Sequence, residues 1–278
     1  MIYPAAKLDG RTIAITGAGS GIGRALALNL SKKGCKLALA DKDADTLAAT
    51  GTMLGNYPHS TTVLDVSDDA AVGGWIDAAA TEFGGLDGII NNAGLTVMGS
   101  FEDTPAADFN RVMAVNFGGV VSGCRHVLPH LKDRPQAWIV NISSVFGMMG
   151  YPGQSAYNAS KFAVRGLSEA MHLELAVSHP AIRVVRVHPG GIKTNVVRNS
   201  KYVGAMPIPS NFDQADTFEK SSPTTPEQAA QVIVDGMEQG RHRVLIGPDA
   251  RMIDRLVRLF PETYFKKIGN FLSRQIKT

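Results

Sequence analysis

Seven short runs along the chain are mostly apolar at odd and even positions alike. They fall at Thr12–Thr16, Lys36–Ala40, Thr61–Leu64, Gly88–Ile90, Trp138–Ile142, Arg183–Val187 and Val244–Ile246. A strand covered on one face alternates apolar and polar residues, whereas unbroken apolar runs read as strands buried on both faces of a parallel sheet. Between them, apolar residues recur at helical spacing over Ile22–Lys33, Ala70–Phe83, Pro105–Leu131 and Ser155–Val177. Strands alternating with helices imply right-handed crossover units. The pattern therefore predicts an α/β fold: one doubly wound Rossmann domain over 1–247, with a seven-stranded, mostly parallel sheet and helices on both faces.

Two stretches break the alternation. Asn195–Thr225 carries Pro207, Pro209 and Pro223 among scattered apolar residues and reads as a long loop after the sixth strand. Loops of that length in compact domains usually act as lids or binding loops. From Pro248 the chain reads as a basic helical extension, 248–278, in two pieces broken at Pro261.

Composition narrows the picture. Hydrophobic residues make up 44% of the 278 positions and charged residues 19%, which excludes a disordered chain. The two cysteines, Cys35 and Cys124, form no CxxC pair. That excludes a disulfide scaffold and a cysteine-based zinc site, and suits a reducing compartment. No apolar run approaches the roughly 18 residues of a membrane span, and the first eleven residues lack an apolar signal core, so a cytoplasmic location is expected. The net charge of +3 is concentrated at the C-terminal end. Arg251–Thr278 holds seven Lys/Arg against two Asp/Glu, leaving 21 basic and 23 acidic residues elsewhere. By charge, the body is no nucleic-acid binder. In the tail, Met252, Ile253, Leu256, Val257, Leu259 and Phe260 recur at helical spacing with Arg251, Arg255 and Arg258 between them. Docking on the chain's own domain or on a partner subunit is favoured over a membrane-surface helix.

Candidate chemistry sits at two places. Directly after the first strand comes Thr16-Gly17-Ala18-Gly19-Ser20-Gly21-Ile22-Gly23, opening a helix. Glycines there allow a tight turn and close backbone approach to a pyrophosphate. The helix start adds free N–H groups and a positive dipole end. The spacing is TGxxxGxG rather than GxGxxG, and its place after a first strand favours a nucleotide over a plain βα connection. The second strand ends at Asp41-Lys42. A carboxylate there accepts hydrogen bonds from adenosine ribose hydroxyls and repels a 2′-phosphate, so NAD is expected rather than NADP. Lys42 offsets part of that repulsion, and Asp41 as a cap for the next helix stays open.

The second place is Tyr157-Asn158-Ala159-Ser160-Lys161, at the start of a helix. Residues four apart share a helix face, so phenol and ammonium point the same way. One ammonium at ~4 Å in a semi-buried site lowers a phenol by about 3 units, enough for general acid/base work. Asn141-Ile142-Ser143-Ser144 ends the fifth strand, which presents a hydroxyl at the carboxyl edge of the sheet, where open α/β sheets bind ligands. A hydroxyl donor there can polarise a carbonyl.

Other features are declined. His126 and His130, with Pro129 between them and no acidic partner nearby, read as a surface or interface pair rather than metal ligands, so no metal is expected. His188 reads as structural and Cys124 as core. Met148, Met149 and Tyr151 fit either a substrate pocket or ordinary packing.

With TGAGSGIG at Thr16–Gly23, DV at Asp65-Val66, NNAG at Asn91–Gly94, Asn116, NISS at Asn141–Ser144, YNASK at Tyr157–Lys161 and HPGGIKT at His188–Thr194, in that order, the chain resembles the short-chain dehydrogenase/reductase family from Leu8 to about Gly247. The resemblance implies NAD(P)-dependent hydride transfer between an alcohol and a ketone, a small-molecule substrate. It assigns Ser144, rather than Ser143, to polarising the substrate oxygen and Tyr157 to exchanging the proton. It assigns Lys161 to binding the nicotinamide ribose and lowering the tyrosine pKa, and Asn116, in the helix after the fourth strand, to anchoring a water that relays protons through Lys161. For the cofactor it implies Gly17, Ser20, Gly21, Ile22 and Gly23 at the phosphates and Asp41 at the adenosine ribose. Asp65 and Val66 then lie at the adenine, Asn92 and Gly94 beside the adenosine ribose, and Ile192 and Thr194 at the carboxamide. It also implies a homo-oligomer, dimer or tetramer, built through helices 105–131 and 155–177, and a substrate-covering role for the 195–225 loop. That loop's Val196, Val197, Tyr202, Val203, Met206, Ile208 and Phe212 point to a lipophilic substrate. An NADPH-dependent ketoreductase and a cofactor-binding protein without turnover are the alternatives.

Overall fold

A computed structural model describes residues 4–194, 200–204 and 222–266. Seven parallel strands form one sheet: β1 (Thr12–Thr16), β2 (Lys36–Asp41), β3 (His59–Val63), β4 (Gly88–Asn91), β6 (Ala137–Ile142), β7 (Ile182–Pro189) and β9 (Arg243–Ile246). Their order is β3-β2-β1-β4-β6-β7-β9. This is the doubly wound α/β fold that the hydrophobic pattern predicts.

The period-two geometry of a strand divides its apolar residues between two cores. Ile13, Ile15, Leu37, Leu39, Val140, Val185 and Val187 face one side, under α1 (Gly21–Lys32), α2 (Ala44–Leu54) and α7 (Pro226–Glu238). Ala14, Ala38, Ala40, Ile139 and Val184 face the other, under α3 (Asp69–Phe83), α5 (Gly119–Leu131) and α6 (Ser155–Ser178). Cys124 and Cys35 are both free and buried in these cores. Crossovers change direction between β1 and β4, so the carboxyl ends of those strands and of β6 open into the crevice where such sheets bind ligands.

Three details differ from the sequence expectation. The third strand lies two residues earlier than Thr61 and forms the sheet edge, with Val63 61% exposed, so it is not doubly covered. A two-stranded parallel pair, β5 (Val97–Met98) with β8 (Lys201–Tyr202), ties the start of the 195–225 loop to the segment after β4. Helix 105–131 is not continuous. It divides into α4 (Ala106–Met113) and α5, joined by a π-turn at Ala114–Gly118 that carries Asn116. A π-turn rotates the residues it carries off the regular helical stripe, and such turns recur at functional sites.

The C-terminal extension continues as α8 (Pro248–Leu259), turns at 261–263 and resumes helix at Tyr264. Ala250 and Ile253 pack against Val145, Met148 and Leu245 of the chain's own domain, while Met252, Leu259, Phe260 and Phe265 are exposed. Among the described residues, no helix is long and apolar enough to cross a membrane.

Candidate active site

The glycine turn after β1 is shaped by contacts that leave no room for side chains. A Cβ on Gly17, whose φ is +66°, would lie 2.8 Å from the Cα of Ala93, and one on Gly23 would lie 2.0 Å from the carbonyl oxygen of Gly17. Asn92 braces the turn by donating its amide to the carbonyls of Thr16 (3.0 Å) and Gly17 (3.1 Å). Ser20 is the N-cap of α1, yet its side chain makes no capping bond, whereas Asp43, Asp68 and Thr225 cap α2, α3 and α7. The first turn of α1, with Gly21, Ile22 and Gly23, also holds no acidic residue. Its N–H groups and dipole end suit an anion.

Asp41 does not cap α2; Asp43 does, accepting from the Thr46 N–H at 2.9 Å. Asp41 turns toward the glycine loop and accepts the N–H groups of Gly19 (2.8 Å) and Asp43 (3.0 Å). Both neighbouring cations are committed elsewhere. Lys42 pairs with Asp65, whose carboxyl it and Ser67 hold down at about 2. Arg24 bonds the carbonyls of Gly19 and Thr46 and the Thr50 hydroxyl. Val66 is buried against Gly119. Ile192 is buried and bridges Thr224, and the Thr194 methyl lies 3.2 Å from where a Cβ on Gly21 would sit.

At the carboxyl end of β6 the two serines diverge. Ser143 donates to the carbonyl of Lys161 at 2.8 Å and so ties the strand to α6. Ser144 accepts the Phe146 N–H at 3.1 Å, and its hydroxyl lies close enough to the Tyr157 phenol to favour the phenolate. Lys161, one helical turn beyond Tyr157, is 4% exposed; its Nζ donates to the carbonyl of Ile142 at 2.9 Å and lies 5.5 Å from the centre of the tyrosine ring. Asn116 is fully buried. Its amide oxygen accepts the Leu95 N–H (2.8 Å), and its amide nitrogen donates to the Leu95 carbonyl (2.9 Å) and Ser160 hydroxyl (3.1 Å). A Cβ on Gly94 would lie 3.3 Å from the Asn116 amide oxygen and 3.5 Å from Lys161 Nζ, so these groups converge on one point.

The electrostatics correct one expectation. Burial pushes the Tyr157 phenol up rather than down, with the Ser144 hydrogen bond opposing it, and burial lowers Lys161 to about 8. The expected lowering assumed an ammonium near 4 Å; here Lys161 Nζ lies 5.5 Å from the ring centre, and desolvation of both groups penalises each charged form. His188, behind Ser144, shares a hydrogen bond between Nδ1 and the Ser144 carbonyl (3.0 Å), and burial holds it neutral, at about 4. His126 and His130 each do have an acidic partner, Asp69 at 3.2 Å and Asp77 at 2.8 Å on α3, contrary to the sequence reading.

Residues 11–202 match the family profile described as short chain dehydrogenase. The chain belongs to the short-chain dehydrogenase family. Across 95% of both chains it is 43% identical to the putative oxidoreductase SadH of Mycobacterium tuberculosis. It is 35% identical to a 3-alpha-(or 20-beta)-hydroxysteroid dehydrogenase of Mycobacterium bovis, over 68% of this chain and 71% of that one. Among solved structures, a short-chain dehydrogenase/reductase from Burkholderia phymatum in complex with NAD superposes with a TM-score of 0.85 at 30% identity, covering 92% of this chain and 96% of that one. This short-chain dehydrogenase is thus a member of an oxidoreductase family with a dinucleotide-binding Rossmann fold. Of its site, sequence reasoning missed Phe146, which stacks on Tyr151 (4.9 Å) and meets Tyr157 edge-on (6.2 Å). Its place two residues after Ser144 was the available signal.

Proposed function

We propose that this protein is an NAD-dependent dehydrogenase/reductase that interconverts a lipophilic secondary alcohol and its ketone, with Tyr157 as general acid/base. The observation that carries the reading is the Ser144 hydroxyl beside the half-buried phenol of Tyr157, with Lys161 next to both, at the carboxyl edge of the sheet. The uncapped first turn of α1 would hold the pyrophosphate, Asp41 the adenosine ribose and Lys161 the nicotinamide ribose. Asp65, Val66, Asn92 and Gly94 would line the adenosine, and Ile192 and Thr194 the carboxamide. Bound NAD supplies the hydride acceptor, and its reduced form the donor. Ser144 donates a hydrogen bond to the substrate oxygen. Tyr157 gives that oxygen its proton during reduction and takes it back during oxidation. A phenol pushed above its ordinary value of about 10 is protonated at neutral pH, the state that donates to a carbonyl. For oxidation, the positive charge of Lys161 favours the phenolate. Asn116 has a positioning part, holding the segment from Gly94 against α6, with a spare lone pair on its amide oxygen for the proposed relay water.

NAD rather than NADP is supported by Asp41 facing the glycine loop while Lys42 and Arg24 are tied to other partners. A lipophilic substrate is supported by Phe146 and Tyr151 beside Tyr157, by buried Met149, and by the relative named for a hydroxysteroid. Of the loop's apolar residues, Val196, Val197, Met206, Ile208 and Phe212 lie outside the described residues. We further assign a homo-oligomeric, cytoplasmic protein, on the exposed Phe162, Leu173 and Val177 of α6 and the two free cysteines. Turnover of secondary alcohols graded in polarity, with each coenzyme and read at the nicotinamide absorbance, tests the reading. At about 0.8 kcal/mol per buried methylene, two extra methylenes raise kcat/KM roughly tenfold. A preference for polyols contradicts the lipophilic assignment. NAD binding without turnover of any alcohol or ketone favours the non-catalytic alternative.

A further inference from the structure

The C-terminal helix α8 touches both halves of the site. Asp249, in its first turn, accepts the Gly191 N–H on Oδ2 at 2.6 Å. The carboxylate is wedged between two glycines: a Cβ on Gly190 would lie 2.2 Å from Oδ2, and one on Gly247 2.3 Å from Oδ1. From Gly191 the chain runs to Ile192, which pairs with Thr224, and to Thr194, which faces Gly21. The segment expected at the carboxamide is therefore fixed at its root by a residue 58 positions away. One face further round, Ala250 and Ile253 pack on Val145 and Met148, and Arg243 joins Asp254 of the helix to the sulfur of Met148. Beyond the helix, Tyr264 Oη accepts the Gly150 N–H at 3.3 Å. Residues 145–150 follow Ser144 directly and include Phe146.

We propose that α8 is a clamp on the active site, in which Asp249 is a positioning residue for the coenzyme segment 190–194 and Ile253 steadies the segment after Ser144. The inference rests on the reading of 192–194 as a coenzyme contact. It separates the two jobs of the helix. Asp249 sets coenzyme affinity, because Gly191 leads directly into that segment. Ile253 sets turnover, because its contacts lie on the side of Ser144 and Phe146.

The test uses the full chain and NADH itself, with Kd from nicotinamide fluorescence and kcat and KM from turnover. Losing a hydrogen bond to a charged acceptor predicts that Asp249→Ala raises Kd and KM for NADH about tenfold with kcat within about twofold. Asp249→Asn keeps an oxygen that accepts the Gly191 N–H, and is expected to restore Kd to within about threefold of wild type even where its melting temperature matches that of the alanine variant. Ile253→Ala is expected to lower kcat with Kd unchanged. A wild-type Kd in Asp249→Ala, or an asparagine variant as weak as the alanine one, overturns the clamp while leaving the coenzyme reading intact. Should Asp249→Ala fail to fold, the asparagine and Ile253 variants decide alone. Wild-type protein that binds neither NADH nor NADPH overturns both.

Discussion

Tyr157→Phe is expected to lower kcat about 10³-fold in both directions while the Kd for NAD stays within about threefold, because a positioned proton donor contributes 10²–10⁴ to rate. The substitution keeps the ring and therefore the edge-on contact with Phe146. Ser144 loses the neighbouring phenol hydroxyl but keeps the Phe146 N–H, and the β6 end stays fixed by Ser143. The glycine turn and Asp41 are untouched. Loss of rate with retained binding therefore isolates the proton transfer. Steady-state turnover beside NADH fluorescence titration checks it. Equal losses in kcat and in coenzyme affinity would point instead to a damaged fold around α6.

Asp41→Ala is expected to shift the ratio of kcat/KM for NAD over NADP toward NADP by about 100-fold. A carboxylate ~4 Å from a 2′-phosphate repels it by roughly 4 kcal/mol per unit charge at an effective dielectric of 20, and solvent beside this half-exposed group trims that figure. Two consequences act together. The repulsion disappears, and Lys42 and Arg24 are left as the neighbouring cations, although their bonds to other partners limit what they add. The Gly19 and Asp43 N–H groups also lose their acceptor, so NAD affinity falls modestly while NADP gains. Parallel kinetics with the two coenzymes give the ratio. An unchanged ratio removes Asp41 from coenzyme selection.

Doubly buried strands left a clear trace in the sequence: Ile13–Ile15, Leu37–Leu39 and Ile139-Val140 are apolar at odd and even positions because helices cover both faces. The edge strand left a weaker one, since His59 and Ser60 need not be apolar where one side is open. The π-turn at Ala114–Gly118 was invisible, because one extra residue in a turn hardly disturbs a helical pattern read over twenty-seven positions. The glycine turn, Asp41 and Ser144 were legible because each sits at a strand end, and a resemblance carried by ordered motifs separated Ser144 from Ser143. Whether the tyrosine would be pushed up or down was not legible, since burial is a property of the packed site. Asp249 was equally hidden, because its partner lies across the fold.

The central claim is that a hydride passes between a carbinol carbon and NAD while Tyr157 handles the proton. A secondary alcohol bearing deuterium at the carbinol carbon, oxidised by the wild-type enzyme, tests it most directly by the mass of the NADH formed. NADH carrying one deuterium per ketone produced is expected. NADH formed without deuterium, or ketone formed without NADH, would contradict it.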